Sequence, residues 1–338
     1  MLRILIGRNN SMSDILQALE TSSRGWNGGT PTGAMLRATR AFLTGAADDP
    51  ALLQEAAASL SRQEPGAATW IAVASGTVVE GGASAELSGP ALFDLLRSWL
   101  SRLPEITKET DQLAEPTAEQ GELLNLFKYL CQSVVTHLAR LPVQRAALGQ
   151  DLALLERLGE LQGYSHGAVW VREALLKSSG PLILLHPPSG IGLRLNYSNV
   201  SNCFHLFSLL QTAVGTRIPG GRPPDETIAW VARGRSNDEV SDEAWWHYGS
   251  ALSNKPDIAA SIWGEGVVRE IPLVDGVPVV LAWPPILKGR SWDGNFLGPH
   301  LDAMPADLVI ERDLTVEESQ ALLEKLRIAK KKWWQRFG

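Results

Sequence analysis

The spacing of apolar residues changes once along this 338-residue chain, and that change limits the folds the chain can adopt. Up to about residue 178, apolar residues recur every three or four positions, as on one face of a helix. Beyond about residue 180, compact apolar runs and alternating apolar and polar residues are typical of strands. Strands and helices do not alternate strictly there, which favours an α+β fold with a helical N-terminal half and a mixed C-terminal half. The alternative is a single α/β domain with a helical extension.

The longest helix is predicted to follow Thr117 and to end before Pro142. Thr117 and Gln120 have the spacing of a capping box, in which each side chain binds a backbone N–H group of the first turn. A second helix is predicted over residues 152–161, and the short connection favours an antiparallel pair. The apolar stripe of the first helix repeats every three or four residues: Leu123, Phe127, Leu130, Val134, Leu138 and Leu141.

Other segments before residue 178 have weaker signals. Short helices are predicted within residues 12–62, and another helix is predicted from Ser88, with Pro90 in its first turn. β-branched and aromatic residues on both sides of Ser75-Gly76 predict a hairpin over residues 69–80. The polar segment 104–118 has no periodicity and is predicted to be a linker or a long surface loop. The resulting domain division is 1–115, 116–178 and 179–338.

The C-terminal half is predicted to contain paired strands and at least one β-hairpin. Asp275-Gly276 lies between two apolar segments, and this dipeptide tolerates the positive φ angles of a two-residue type I′ turn. Thr315 and Glu318 form a second capping box, which opens the final helix. The remaining predictions are strands at 181–186, 191–197, 227–232 and 308–311, and helices at 201–214 and 241–252.

Composition narrows the class of protein. The formal net charge is −6, and 44% of the residues are hydrophobic and 20% charged, as in folded globular proteins. The negative charge argues against a general nucleic-acid binder, because binding phosphates requires a positive face. Two cysteines are too few for a disulfide framework, so a cytoplasmic location is expected. The first ten residues lack a secretory apolar core, and no run of about eighteen apolar residues predicts a membrane span.

One short segment matches a catalytic pattern. Gly163-Tyr164-Ser165-His166-Gly167 has the G-x-S-x-G spacing of a hydrolase nucleophile. That nucleophile requires a preceding buried strand, whereas the preceding residues have helical spacing. Ser165 is therefore interpreted as the N-cap of the next helix. If the protein is a hydrolase or transferase, its dispersed catalytic candidates are Ser165, His186, Asp293 and His300.

Neither a metal site nor a cofactor is predicted. The six histidines are scattered without an H-x-x-x-H pair, and no cysteine pair has ligand spacing. Cys131 and Cys203 both lie on apolar helical stripes, so we expect both thiols to be buried and unreactive.

Two aromatic segments are predicted to bind a ligand or a partner. Trp245, Trp246 and His247 are consecutive, so they cannot all face one core, and some are expected to contact solvent, a ligand or another domain. The second segment follows a predicted strand, and loops in that position are common sites of function. Its candidate binding residues are Arg290, Trp292, Asp293 and His300.

The C-terminal segment is basic and aromatic. Lys330, Lys331, Lys332 and Arg336 surround Trp333 and Trp334. Cations in the last turns of a helix complement the negative end of its dipole, which is a structural role. The alternative is contact with nucleic acid or an anionic membrane.

The leading functional hypothesis is a cytoplasmic interaction or regulatory protein without intrinsic catalysis, which binds a protein partner. The two alternatives are a hydrolase or transferase with dispersed residues, and a protein that contacts polyanions through its basic C-terminal segment.

Overall fold

The computed structural model describes residues 11–107, 112–236, 238–253, 255–293 and 303–334. The chain divides into two compact units, Met1–Leu175 and Leu176–Gly338. Helices form most of the first unit and a mixed sheet forms the centre of the second, which confirms the α+β fold. Within the described residues, no helix is long and apolar enough to cross a membrane.

The first unit is built mainly from helices that follow one another through short connections. They include every helix predicted before residue 178. In chain order they are α1 (Met12–Ser23), α2 (Gly33–Asp48), α3 (Ala51–Ser59), α4 (Pro65–Glu80), α5 (Gly89–Arg102), α6 (Ala118–Arg140), α7 (Pro142–Leu148), α8 (Leu152–Glu160) and α9 (His166–Leu176). Two short strands, β1 (Ile106–Thr107) and β2 (Gln112–Leu113), pair antiparallel within the segment predicted to be a linker.

The hairpin predicted over residues 69–80 is wrong, because this segment forms helix α4. The helix is buried on almost all sides, so its β-branched and aromatic residues do not show the one-sided pattern of a surface helix. Gly76 is the point where α4 approaches α6, since an added Cβ would lie 3.0 Å from the Ser133 hydroxyl oxygen. Glu64 caps α4 by accepting hydrogen bonds from the Gly66 and Ala67 N–H groups.

The capping box of α6 is confirmed. The Thr117 hydroxyl accepts from the Gln120 N–H at 3.3 Å, and the Gln120 side chain accepts from the Thr117 N–H at 3.0 Å. The connection between α6 and α8 contains helix α7. Helix α8 is joined to α5 by an ion pair of 3.1 Å between Arg97 and Asp151.

The second unit combines helices with a six-stranded sheet. Its helices are α10 (Cys203–Val214), α11 (Glu226–Ala232) and α12 (Val316–Trp334). Its strands are β3 (Ser178–His186), β4 (Ile191–Val200), β5 (Ser241–Glu243), β6 (His247–Gly249), β7 (Leu273–Val274), β8 (Val277–Trp283), β9 (Ser291–Asp293) and β10 (Asp307–Asp313).

The central sheet has the strand order β10-β4-β3-β8-β6, and β7 pairs with β8. Strands β3 and β8 are parallel, and the other pairs are antiparallel. Residues of β3 alternate between two cores: Leu182 and Leu184 pack with α10, whereas Ile183 and Leu185 pack with α12. The sheet is therefore the middle of three layers, and both of its faces are covered.

Most strand predictions in this unit are confirmed, including the pairing of β3 with β4 and the strand β10. The turn between β7 and β8 has φ angles of 52° at Asp275 and 79° at Gly276, as the predicted type I′ turn requires. The capping box of α12 is also confirmed, because Thr315 and Glu318 exchange hydrogen bonds.

Two predictions in this unit are wrong. Residues 227–232 form helix α11 instead of a strand, and the Asp225 side chain caps it by accepting from the Thr227 and Ile228 N–H groups. Residues 241–252 contain strands β5 and β6 instead of a helix. Strand β5 pairs with β9 in a separate two-stranded sheet, and this pairing with a distant segment replaces helical hydrogen bonds.

Candidate functional site

Three of the predicted binding residues lie in one aromatic cluster on helix α10. The cluster consists of Phe204, Phe207, Trp245, Trp246, Tyr248 and Trp292. The Phe207 and Tyr248 rings stack with centroids 3.9 Å apart, and Trp292 lies 5.4 Å from Phe204. Trp245 and Trp246 meet edge to face at 5.8 Å. Helix α10, the start of β6 and strand β9 therefore share one aromatic core.

Some of the consecutive residues Trp245, Trp246 and His247 were expected to contact solvent, a ligand or another domain, and contact with solvent is not observed because all three are buried. Trp245 is 8% exposed, Trp246 is 1% exposed and Trp292 is 6% exposed. The indole N–H groups of Trp246 and Trp292 both donate within the protein. Trp246 donates to the Pro219 carbonyl and Trp292 donates to the Ser208 hydroxyl, both at 2.7 Å. Their binding role stays a prediction, and their observed role is packing.

A buried polar network lies against the aromatic cluster. The Gln211 side chain donates at 3.0 Å to the Asp242 carboxyl group and accepts at 2.9 Å from the Trp245 N–H group. The carboxyl group also accepts from the Ser208 hydroxyl and from the backbone N–H of Glu243. Burial raises the pKa of Asp242 to about 6, although these three hydrogen bonds oppose the shift.

This network fixes the small β5-β9 sheet to helix α10. Asp242 is the central residue of β5, Trp292 is its partner in β9, and both bind residues of α10. Asp242 is 5% exposed, and its carboxyl group forms its hydrogen bonds within the protein. The Asp242 carboxyl group therefore positions its neighbours, because a substrate could reach it only if the hydrogen-bond network opened.

The other predicted residues of these two segments lie around the cluster. His247 is buried on β6, and its Nε2 atom lies 3.2 Å from the Asp257 carbonyl oxygen. Burial lowers the pKa of His247. Asp293 is exposed at the end of β9, and the half-buried Arg290 accepts a backbone hydrogen bond from Ala244. His300 lies outside the described residues.

Ser165 lies between helices α8 and α9, so the strand that a hydrolase nucleophile requires does not precede it. Its backbone carbonyl accepts from Ala168 at 3.0 Å, which places it at the start of α9 as predicted. Its hydroxyl oxygen is buried and makes no hydrogen bond within the described residues, so the expected side-chain cap is wrong. His186 ends strand β3, where its Nδ1 atom lies 2.7 Å from the Ser189 hydroxyl, and burial lowers its pKa.

Both cysteines are buried and free, as predicted. Burial raises the pKa of Cys131 well above its ordinary value and raises the pKa of Cys203 to about 12. The thiolate, which is the reactive form, is therefore strongly disfavoured at both positions.

Sequence reasoning missed a buried serine-histidine pair in the first unit. The Ser88 hydroxyl lies 2.8 Å from His137 Nε2, and His137 Nδ1 lies 2.7 Å from the Ser133 carbonyl. A carbonyl only accepts, so Nδ1 carries the proton and Nε2 accepts from Ser88. Both residues are fully buried, and burial lowers the pKa of His137 to about 4. No local motif joins residues 49 positions apart, so the sequence alone could not reveal the pair.

Sequence reasoning also missed an open groove on helix α11. The groove has a volume of about 390 Å³ and is lined by Glu226, Ala229, Trp230, Arg233 and Arg235. Trp230 is 58% exposed, whereas the next two residues of the helix are buried. Because residues 227–232 were predicted to form a strand, the exposed helix face that lines the groove was not predicted. The sequence Asp225-Glu226, an N-cap residue followed by an acidic residue of the first turn, is a helix-start signal that could have revealed it.

A second groove, of about 550 Å³, lies between α5 and α8 in the first unit. Four of its five charged lining residues form ion pairs with each other: Arg97 with Asp151 at 3.1 Å, and Arg157 with Glu160 at 2.7 Å. The Arg157 guanidinium also donates to the Leu103 carbonyl at the end of α5. These groups hold the helix termini together.

The basic C-terminal segment is described only in part. Lys330, Lys331 and Lys332 lie in the last turns of α12, and Arg336 lies outside the described residues. Contact with polyanions therefore stays a prediction. Leu322 and Leu326 of this helix pack on the sheet.

Within the described part of the chain, no group of three or more His, Cys, Asp and Glu side chains is arranged to hold a metal ion. No protein family, curated protein or solved structure matches the sequence.

Proposed function

We propose that this chain is a binding protein that engages a protein partner through the α11 groove. The observation that carries the proposal is the exposed indole of Trp230, which lines a concave surface together with two arginines. Tryptophan and arginine contribute most to binding energy at protein interfaces, particularly where they line a pocket.

The spacing of the lining residues supports this role. Glu226, Ala229 and Trp230 stand at positions i, i+3 and i+4 of α11, which places them on one face of the helix, and the C-cap residue Arg233 continues this spacing at i+7. The opposite side is anchored, because Val231 and Ala232 are buried.

The backbone under the groove is well supported. His205 of α10 accepts a hydrogen bond from the Ser201 N–H at Nδ1, so its Nε2 donates to the Ala232 carbonyl at 2.6 Å. A surface held in this way loses little conformational entropy when a partner binds, and more of the interaction energy appears as affinity.

The proposal is tested by selecting random dodecapeptides, displayed on phage, against the full-length chain. Selected peptides are then synthesised and their dissociation constants measured with wild type, Trp230→Ala and Trp263→Ala. We expect Trp230→Ala to weaken binding at least about tenfold, as at an interface hot spot. Trp263 is a matched control because it is 61% exposed but does not line the groove. Peptides that bind all three proteins equally would contradict the proposal.

A further inference from the structure

We infer that the α11 groove recognises a short extended segment that places an apolar side chain on Trp230 and a carboxylate side chain on Arg235. This inference rests on the proposed function and specifies the chemistry of the partner. Three observations carry it: the backbone motif that holds Arg235, the ion pairs of the two arginines, and the charge at the other end of the groove.

The end of α11 fixes Arg235 beside Trp230. The Gly234 N–H donates to the Val231 carbonyl and the Arg235 N–H donates to the Trp230 carbonyl, both at 2.9 Å. These two bonds form a Schellman motif, in which the second residue after the cap returns to the last turn of the helix. Gly234 has a φ angle of 67°, which this motif requires and which glycine adopts without strain.

The two arginines of the groove differ in their partners. Arg233 forms an ion pair of 3.0 Å with Asp307, so a carboxylate already compensates its charge. Within the described residues, no carboxylate lies within ion-pair distance of Arg235, and its side chain is exposed. Arg235 therefore supplies the uncompensated cation, and its planar guanidinium matches a carboxylate in shape and charge.

The other end of the groove carries the opposite charge. Glu226 stands in the first turn of α11, seven residues before Arg233, which corresponds to about 10 Å along the helix. An extended peptide covers this length with about three residues. A bound segment thus has a favoured direction, with its acidic side chain at Arg235 and a neutral or basic residue at Glu226.

The same charges disfavour a polyanion as the occupant. Nucleic acid would bring repeated negative charges close to Glu226 and to a chain with a formal net charge of −6. One carboxylate, in contrast, balances the guanidinium of Arg235, which has no carboxylate partner among the residues that the structure describes. The apolar side chain is needed as well, because an exposed ion pair alone contributes little to affinity.

The inference is tested on the peptides that bind in a Trp230-dependent manner. Each peptide is resynthesised with every Asp and Glu replaced by Asn and Gln, and both forms are titrated against wild type, Arg235→Gln and Arg222→Gln. Arg222 is the control because its side chain is exposed outside the groove. We expect the amide replacement and Arg235→Gln each to weaken binding about two- to fivefold, as loss of an exposed ion pair does, and together no more than either alone. Raising the salt concentration from about 0.05 M to about 0.5 M should remove most of this difference.

The outcomes separate the two proposals. Trp230-dependent peptides that lack a carboxylate, or that bind Arg235→Gln as tightly as wild type, would overturn the inference and leave the proposed function standing. If no selected peptide depends on Trp230, both are wrong. Equal weakening by Arg222→Gln and Arg235→Gln would point to a general charge effect and would also overturn the inference.

Discussion

The pair formed by Ser88 and His137 has the geometry of a nucleophile and its base, but its position gives it a different role. Both side chains are fully buried between the start of α5 and helix α6, where solvent is excluded. The imidazole is neutral in the folded protein because burial lowers its pKa to about 4. The pair therefore joins two helices by a hydrogen bond that depends on a neutral histidine.

We expect Ser88→Ala to destabilise the first unit by about 1–3 kcal/mol at neutral pH. The substitution leaves the buried His137 Nε2 atom without its donor, and an unsatisfied buried acceptor costs about this amount. Hydrogen exchange of the α6 amides, read by mass spectrometry at increasing urea concentration, measures the effect. Ser98→Ala on the exposed side of α5 is the control, and equal protection in the two variants would contradict the prediction.

In the second unit, helix α12 packs closely against strand β4 of the sheet at Gly192. An added Cβ at Gly192 of β4 would lie 2.5 Å from the Ser319 hydroxyl oxygen and 2.8 Å from side-chain carbons of Leu185 and Leu314. Real Cβ contacts do not occur at such distances, so the glycine allows the helix to approach the sheet.

We expect Gly192→Ala to loosen α12 from the sheet and to lower the free energy of unfolding by about 1–3 kcal/mol, as overpacking does. Exchange of the α12 amides should accelerate more than that of α10, which packs on the opposite face. Gly121→Ala is the control, because its added Cβ meets nothing within 4 Å. Unchanged protection of α12 in Gly192→Ala would show that the helix accommodates the methyl group.

Considered as a whole molecule, the protein contains buried groups whose protonation has opposite effects on stability, and His137 and Asp242 are an example of each kind. The folded-state pKa of His137 lies below its ordinary value of 6.5, so its contribution to stability is present above about pH 6.5 and is lost as the pH falls towards 4. The folded-state pKa of Asp242 lies above its ordinary value of 3.8, so its contribution is present at low pH and is lost as the pH rises through about 6.

We expect Asp242→Asn to remove a pH dependence of about 2 kcal/mol from the unfolding of the second unit, because the amide stays neutral. Between about pH 4 and about pH 7, the free energy of unfolding of the wild-type second unit should fall by this amount relative to that of the variant. Urea unfolding at several pH values, followed through exchange of the α10 amides, measures the difference. His186 and His247 titrate equally in both proteins and cancel in the comparison. The control is Asp293→Asn, the same substitution at an exposed position at the end of β9, and an equal change in pH dependence in this variant would contradict the prediction.

The sequence by itself determined the elements whose signals are local. The capping boxes at Thr117 and Thr315 and the turn at Asp275-Gly276 were predicted correctly, because each depends on hydrogen bonds or φ angles within four residues. The α+β division followed from apolar periodicity, which reports the face that each helix or strand buries.

Only the tertiary structure decided the elements that are buried on several sides or paired with distant segments. Helix α4 was predicted wrongly because its aromatic and β-branched residues are compatible with either conformation, and packing selects between them. Strands β5 and β6 were predicted wrongly because they pair with the distant strands β9 and β8, which no local pattern reports. The same reason applies to the candidate sites. Trp246 and Trp230 are identical in chemistry and 16 positions apart in the sequence, yet one is 1% exposed and the other 58%. Which of them is exposed depends on how the rest of the unit covers helix α11 and the segment before β6, and that is settled by contacts between residues far apart in the chain.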